Sequence, residues 1–572
     1  MKAGPATALL RAPPFPGADA SVSHPLFGGE SPIDDAGALM AMVREARVGG
    51  RFWSAPAELS HPAGTVLRPR RIEDLAAHRA GMAPAERRAA LWIAPCLPRW
   101  AGFEPAGKRW ARVLDRLVAA EGGEWRGDVD PWSALAGAQR LVAHGDDEWV
   151  ALARIAGMPV RLLSHGRFGA PGDGDATLDR LAAAALAGAW RNPFTGEEST
   201  IEATIDLLAM WRAILPANRP IVAACGMAWW KRAEIRGFLW HPQRRLRIVS
   251  SPARALRIAR KANGGAGGAV AIWPSRVSSA LVVAAQRQGV ALVRVEDGFV
   301  RSVGLGVDLV PPSSVVVDGA GIHFDPSGPS DLERILADTD PSARLLERAR
   351  ALREAIVAAG ISKYAAGTAT PVPARQPGRR LVLVPGQVED DMSVLAGGGG
   401  LTSNLELLRR ARALEPEAEI WFRPHPDVDA GHRKGAVPDI EILAHADRIV
   451  RGGGMAPLLD AVDAVHVLTS LTGFEALMRG RAVTCHGTPF YAGWGLTRDL
   501  AGVPARRARV LALDALVAAV LILYPRYLDP VTALPCPPEV LVGRMANASA
   551  TNRHGWIAPL RRWQGRLMAG FR

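Results

Sequence analysis

Glu296-Asp297-Gly298 ends an apolar run, "ALVRVEDGF", where a strand should be turning into solvent. A carboxylate at the C-terminal edge of a strand can serve as nucleophile or base in glycosyl chemistry, because an oxocarbenium-like centre needs negative charge beside it. Neighbouring side chains on an extended strand face opposite sides, so only one of Glu296 and Asp297 can point into a given pocket. Read alone, the pair fits a structural carboxylate that bonds loop amides ahead of Gly298 better than it fits a catalyst. In "WFRPHPDVDAG" two prolines stiffen the loop around His425 and present its imidazole and Arg423 in a fixed direction. Such a pair could hold a phosphate or protonate a leaving oxygen, and a surface or capping histidine would look the same. "LTSLTGFEALMRG" places Ser470, Thr472 and Gly473 at a strand-to-helix turn, where free amides and hydroxyls make an anion site and a glycine admits phosphate to the backbone. Glu475, expected in the first helical turn, could bind ribose hydroxyls or merely partner Thr472 in a capping box. "LVPGQVEDDMS" offers Gln387, Asp390, Asp391 and Ser393 to sugar hydroxyls.

These loops need strands and helices behind them. From about residue 220 onward, "AVAIW", "ALVRVE", "LVLVPGQ", "EIWFRPH", "AVHVLTS" and "AVTCHG" each precede a loop or helix, the rhythm of parallel sheets covered by helices. In such sheets ligands bind at the carboxyl ends of the strands. Ser330-x-x-Glu333, Ser403-x-x-Glu406 and Thr472-x-x-Glu475 read as capping boxes. "LERARALREAIVAAG" reads as a helix stopped by Gly360, and "ATPVPARQPGRR" (369–380) as a linker between two α/β units. An internal echo is also present. Residues 142–169 resemble 465–493, and "RNPFTGE" (191–197) follows the first as "YLDPVTA" (527–533) follows the second, the order a duplication would leave. The hydroxyl-rich "TSLTG" has become "HGDDE" in the first copy, and the acid segment has no earlier partner.

At 572 residues the chain should divide into about three or four units. Its +13 charge comes almost entirely from scattered arginine, which favours anionic substrates or an anionic membrane surface. No nucleic-acid signature accompanies that charge, so no nucleic-acid partner is expected. Cys96, Cys225, Cys485 and Cys536 have no C-x-x-C spacing, which argues against zinc and disulfides and suits a reducing cytoplasm. D-x-D recurs at 173/175, 338/340 and 427/429, too common to mark a metal, and no metal or cofactor is expected. Neither a P-loop nor a dinucleotide fingerprint is present; "GLG" at 304–306 lacks its third glycine. "ALVAAVLILY" (515–524) is about half a membrane span. The basic "WIAPLRRWQGRLMAGFR" (556–572) has the spacing of an interfacial helix, or of a tail helix packed on the body.

Taken in order, "RVEDGFVRSVGLGVDLVPPSSVVVD", "GIHFDPSGPSDLE", "LVPGQVEDDMS", "RPHPDV", "TSLTGFEALMRG" and "HGTPFYAGWGLTRD" resemble the bacterial capsule polysaccharide β-Kdo transferases from about 220 to 530. "GMAWWKRAEIRGFL" (226–239) resembles the opening of that family's second module. The resemblance implies an α/β fold, a GT-B-like pair of Rossmann-like domains preceded by a degenerate partial repeat. It implies the divisions 1–200 (divergent, inactive repeat), 201–370 and 371–535 (the two halves of one working module) and 536–572 (basic amphipathic tail). It further implies a retaining transfer from CMP-β-Kdo to a lipid-linked Kdo acceptor on phosphatidylglycerol at the inner face of the inner membrane. Asp297 would be the nucleophile with Glu296 supporting the loop, and His425 with Ser470 to Gly473 would stabilise the leaving phosphate. Glu475 would hold the ribose. Competing expectations are a transferase of another nucleotide sugar and a non-catalytic scaffold that contacts capsule assembly proteins.

Overall fold

The computed structural model describes residues 8–16, 35–95, 104–262, 267–301, 311–362 and 372–547. The basic tail at 556–572, "GLG" at 304–306, Cys96 and the start of the linker lie outside them. The chain forms two compact units, Met1–Arg219 with Trp240–Arg245, and Pro220–Leu239 with Leu246–Arg572. The first therefore runs past 200 and takes in the helix Ile201–Asn218, which the sequence assigned to the next division.

The first unit holds β1 (Thr65–Leu67), β2 (Ala90–Ile93), β3 (Glu124–Arg126), β4 (Arg140–Ala143) and β5 (Val160–Leu162), all parallel in the order β3-β2-β1-β4-β5. Strands buried on both faces need continuous apolar runs, and "TVL", "ALWI" and "LVA" supply them. The hairpin of β6 (Trp190–Arg191) and β7 (Glu198–Ser199) follows.

In the second unit, β8 (Ile221–Cys225), β9 (Arg247–Ile248), β10 (Ala269–Ile272) and β11 (Leu292–Asp297) run parallel, but β12 (Ser314–Asp318) returns antiparallel against β11. The second sheet is wholly parallel: β13 (Leu381–Pro385), β14 (Glu419–Arg423), β15 (Arg448–Ile449), β16 (Ala464–Val467), β17 (Ala482–Cys485) and β18 (Arg498–Asp499), in the order β15-β14-β13-β16-β17-β18. The chain then crosses back. β19 (Pro525–Leu528) and β20 (Pro535–Cys536) complete the first sheet as β20-β19-β12-β11-β10-β8-β9, so that sheet is mixed rather than parallel, and residues after 525 belong to the first half. The result is the expected α/β pair of Rossmann-like halves.

Each half has its own core, Val295, Val315 and Phe238 among others in the first, Val384, Phe422 and Leu408 in the second. Trp421 of β14 is fully buried and its indole N–H donates to Glu419 at 2.8 Å, which removes the cost of a buried unpaired donor. Ser330 and Ser403 cap their helices as expected, accepting from Glu333 N at 3.1 Å and Glu406 N at 3.3 Å. The helix at 343–358 ends ahead of Gly360, whose φ of 59° is left-handed. "ALVAAVLILY" forms the buried end of Leu513–Val517 and a π-helical turn, Ala518–Leu523. No helix among the described residues is long and apolar enough to cross a membrane.

The internal echo extends to three dimensions. The order β3-β2-β1-β4-β5 matches β15-β14-β13-β16-β17 strand for strand. In the β6–β7 turn Asn192 Oδ1 accepts from Phe194 N at 2.8 Å and Thr195 N at 3.3 Å; between β19 and β20 the Asp529 carboxylate accepts from Val531 N at 3.3 Å and Thr532 N at 3.1 Å. Gly196 and Ala533 then close both turns at 2.8 Å with φ of 76° and 62°. A non-glycine residue at positive φ is uncommon, so agreement there is specific.

Candidate functional site

Asp297 is the last residue of β11 and lies opposite Val315 of β12, while Glu296 lies opposite Val316 and so faces the other side. The turn is tight: Gly298 N donates to Ser314 O at 3.0 Å, and a Cβ on Gly298 would run into the Ser314 side chain. Two cations hold Asp297. Lys231 Nζ donates to Oδ1 at 2.8 Å and Arg301 Nε to Oδ2 at 2.8 Å, with Arg301 fully buried. Lys231 ends the short helix Trp229–Lys231, and its ammonium stands 3.5 Å from the Trp273 ring centroid and 5.0 Å from that of Trp230. Burial by itself would raise the Asp297 carboxyl, but the charges of Lys231 and Arg301 and their hydrogen bonds hold it below its ordinary range. Burial pushes Lys231 below the usual lysine range, opposed by the Asp297 and Glu296 carboxylates. Glu296 Oε1 accepts from Asp297 N at 3.0 Å, a supporting contact for the strand end.

The other predicted residues gather at the carboxyl edge of the second sheet. Arg423 is buried and spends its two terminal nitrogens on Gly452 O at 2.8 Å and Gly453 O at 2.6 Å, and burial lowers its guanidinium. It shapes a glycine loop that lines a cavity of about 160 Å³ with Arg448, Arg451, Gly454 and Pro457. His425 caps the single turn Pro426–Asp429, its Nδ1 accepting from Asp427 N at 3.2 Å, which assigns the ring proton of the neutral form to Nε2. Gln387 ties the β13 loop to the end of β16: its Oε1 accepts from Thr469 N at 2.8 Å and its Nε2 donates to Thr469 Oγ1 at 3.1 Å. Ser393 donates to Asp391 Oδ1 at 2.7 Å in a first helical turn. The three D-x-D pairs are occupied too, with Asp175 on Arg154, Asp340 on Arg509 and Asp429 on Arg451, each at 2.9 Å. No group of three His, Cys, Asp or Glu that could hold a metal occurs among the described residues.

The hydroxyl-rich turn departs from the expected capping box. Ser470, not Thr472, is the N-cap of Leu471–Met478; its Oγ accepts from Thr472 N at 3.2 Å. Glu475 consequently sits two residues further in, in the second turn, and is buried. Gly473 also has a packing reason. The buried Tyr491 donates its hydroxyl to Ser470 O, and a Cβ on Gly473 would stand 2.7 Å from Tyr491 Cζ. The ring thus seats the start of this helix. Phe299, two residues beyond Asp297, meets Phe490 at 4.8 Å and Phe474 of that same helix at 6.5 Å. The acid on one half and the hydroxyl-rich turn on the other are joined through these rings.

Sequence reasoning missed Lys231, Arg301 and Tyr491. A signal for the first existed: lysine occurs six times in a chain with 63 arginines, so a lysine inside "AWWKR" marks a place where a compact ammonium is wanted. The pairing itself spans 66 residues and no local pattern reports it.

At the matching helix start of the first unit the chemistry is reversed. Asp147 caps Glu148–Ile155. Arg68 Nε holds Asp147 at 3.0 Å, Arg70 holds Asp146 at 3.3 Å, and Arg11 grips Glu148 at 2.6 and 2.8 Å. Where the second sheet presents amides and hydroxyls, the first carries its own anions. Ala94-Pro95-Cys96 follows β2 where Arg423-Pro424-His425 stands at the end of β14.

A family model described as capsule polysaccharide biosynthesis protein matches residues 268–370 and 370–527. The capsule polysaccharide modification protein LipA of Neisseria meningitidis serogroup A is 40% identical over 341 residues, 60% of this chain and 47% of LipA. The chain thus spans about half the length of the curated relatives it matches. Two solved KpsC chains of Thermosulfurimonas dismutans are also similar. The β-Kdo 2,7 transferase is 32% identical (TM-score 0.47, 57% of this chain, 99% of that one). The β-Kdo 2,4 transferase is 31% identical (TM-score 0.49, 57% and 98%).

Proposed function

The chain belongs to the capsule polysaccharide biosynthesis protein family, and from that premise we propose that its second unit is a retaining transferase of β-Kdo. The donor is CMP-β-Kdo and the acceptor a Kdo residue on a phosphatidylglycerol anchor, which would bring the protein to the inner face of the inner membrane beside other capsule assembly proteins. The observation that carries this reading is Asp297, held as a carboxylate at a strand end by Lys231 and Arg301. An Asp297 oxygen attacks the anomeric carbon as its bond to the phosphate oxygen breaks, and CMP leaves with the electron pair. The acceptor hydroxyl then attacks the same carbon, Asp297 departs as carboxylate, and the hydroxyl proton passes to the CMP phosphate, whose second ionisation lies near about 6. Two inversions give net retention. The amides at Ser470 to Gly473 and the His425 imidazole stabilise the leaving phosphate, Glu475 holds the ribose, and Gln387, Ser393 and Arg423 frame the donor site. The base has room in the cavity beside Gly452 to Gly454. The first unit is a copy of the nucleotide-binding half that no longer binds donor.

Incubation with CMP-Kdo and a Kdo-lipid acceptor, with CMP release as readout, tests the reading. Turnover with these substrates is expected, and donor alone should leave a one-Kdo mass shift on the peptide containing Asp297. Release only with another nucleotide sugar would replace the donor; no release with any would favour a scaffold.

A further inference from the structure

We infer that Lys231 is a positioning residue for this transfer: its ammonium keeps Asp297 charged and holds one carboxylate oxygen turned toward the incoming anomeric carbon. The inference rests on the reading of Asp297 as nucleophile and goes beyond it. Each oxygen of Asp297 has its own cation, Oδ1 that of Lys231 and Oδ2 that of Arg301, so rotation of the carboxylate is blocked from both ends. The two cations are not equivalent. Arg301 is four residues along the same chain segment and 1% exposed, a fixed part of the floor. Lys231 comes from the helix Trp229–Lys231, 66 residues away in sequence, and 8% of its side chain is exposed. Trp273 beneath the ammonium and Trp230 beside it leave it little room to swing off the acid. The indole faces attract the charge, which lowers the cost of burying it.

Among the described residues, the charged groups that bear on Asp297 are few. Lys231 and Arg301 are in contact, Glu296 precedes it on β11, and Arg526 of β19 lies two strands over in the same cross-strand row, opposite Val315. On β12 the row is filled by Val315, which cannot supply charge. Removing Lys231 therefore removes one of the two direct counter-charges and exposes Asp297 to the cost of its own burial. Burial drives a carboxyl toward its neutral form, in which it is no nucleophile. The scarcity of lysine agrees with this: guanidinium is used nearly everywhere else in the chain, so an ammonium here is a departure from its habit.

The test is the pH profile of CMP release by full-length Lys231→Met and Lys231→Arg beside the parent protein. For Lys231→Met the acid limb of kcat should move up by about one pH unit or more, the shift that loss of an adjacent opposite charge produces. Its kcat near neutrality should fall about 10- to 100-fold, with the donor KM within about threefold of the parent. Lys231→Arg should keep the parent's acid limb. A Lys231→Met limb that superposes on the parent's, or a Lys231→Arg limb displaced like that of Lys231→Met, overturns the inference. A measurement on the parent protein covers the case in which Lys231→Met does not fold. Carbodiimide coupling needs a protonated carboxyl, so modification of the Asp297 peptide should have its midpoint below that of surface aspartates; a midpoint at or above theirs overturns it. If Asp297→Asn still turns over, the nucleophile assignment falls and takes this inference with it. If Asp297→Asn is inactive while the Lys231→Met limb stays put, the inference alone falls.

Discussion

The first unit and the second sheet of the second unit share a strand order and a capped helix start, yet the side chains at that helix start differ in charge. Ser470 caps its helix with a neutral hydroxyl and leaves the positive end of the helix dipole uncompensated. Asp147 caps as well, but brings a full negative charge, and Asp146 and Glu148 add two more, each matched by an arginine. The frame tolerates both solutions because serine and aspartate are similar N-caps. Fold and local charge thus separate at single positions: the backbone can be retained while the helix start changes from neutral hydroxyls to ion-paired carboxylates.

The largest test of this contrast uses the acid that has no counterpart in the first copy. Asp297→Asn should lower transfer at least about 10³-fold with the fold retained, whereas Asp147→Asn should leave it unchanged. CMP release with matched melting curves reads both, and an effect of Asp147→Asn on turnover would break the contrast. Gly473→Ala should come next. Its Cβ runs into Tyr491 and should cost about 1 to 3 kcal/mol by overpacking, part of which Tyr491→Phe returns by removing the hydroxyl. A double-mutant cycle by chemical denaturation measures the coupling, and strict additivity would separate the ring from the glycine.

Ser470→Asp writes the first unit's residue into the second. The helix should stay capped while CMP binding weakens about tenfold or more, because a carboxylate would face the phosphate; calorimetric titration with CMP is the measurement, and unchanged affinity would move the phosphate elsewhere.

The smallest effect is in pH. His466 and His486 are buried together, Nδ1 to Nε2 at 3.1 Å, and burial pushes both down to about 4, helped by the charges of Arg380 and Arg498 at His466 and by those of His466, Arg410 and Arg498 at His486. The first unit has Ala143 at the register of His466. A folded value below the unfolded one means that the unfolded chain binds more protons between the two, so stability rises with pH through that window and is lost as pH falls from about 6.5 toward 4. Thermal melts should show the loss between pH 7 and 5, and His486→Gln should flatten it; an unchanged slope would place the acid sensitivity in other groups.

Much of this molecule was legible in the order of its residues. Apolar runs followed by loops gave the Rossmann-like halves, because a strand covered on both faces admits nothing else. Ser330, Ser403 and Gly360 marked helix ends, since caps act within one turn. Alternation along a strand was enough to separate Asp297 from Glu296, because neighbouring side chains must diverge. Thr472 was misread because Ser470 and Thr472 both satisfy the local pattern, and only the backbone conformation selects between them.

What tertiary structure decided is everything that depends on distant segments meeting. The return of β12 and the crossing of β19 to its side made the first sheet mixed, a matter of pairing that no local period encodes. The seat of Tyr491 against Gly473, the loop held by Arg423 and the clamp of Lys231 on Asp297 are likewise contacts between segments. A residue's type fixes what chemistry it can do, and local spacing fixes its direction on an element. Its charge state and freedom depend on which buried neighbours it meets, and those are set only when the sheets close.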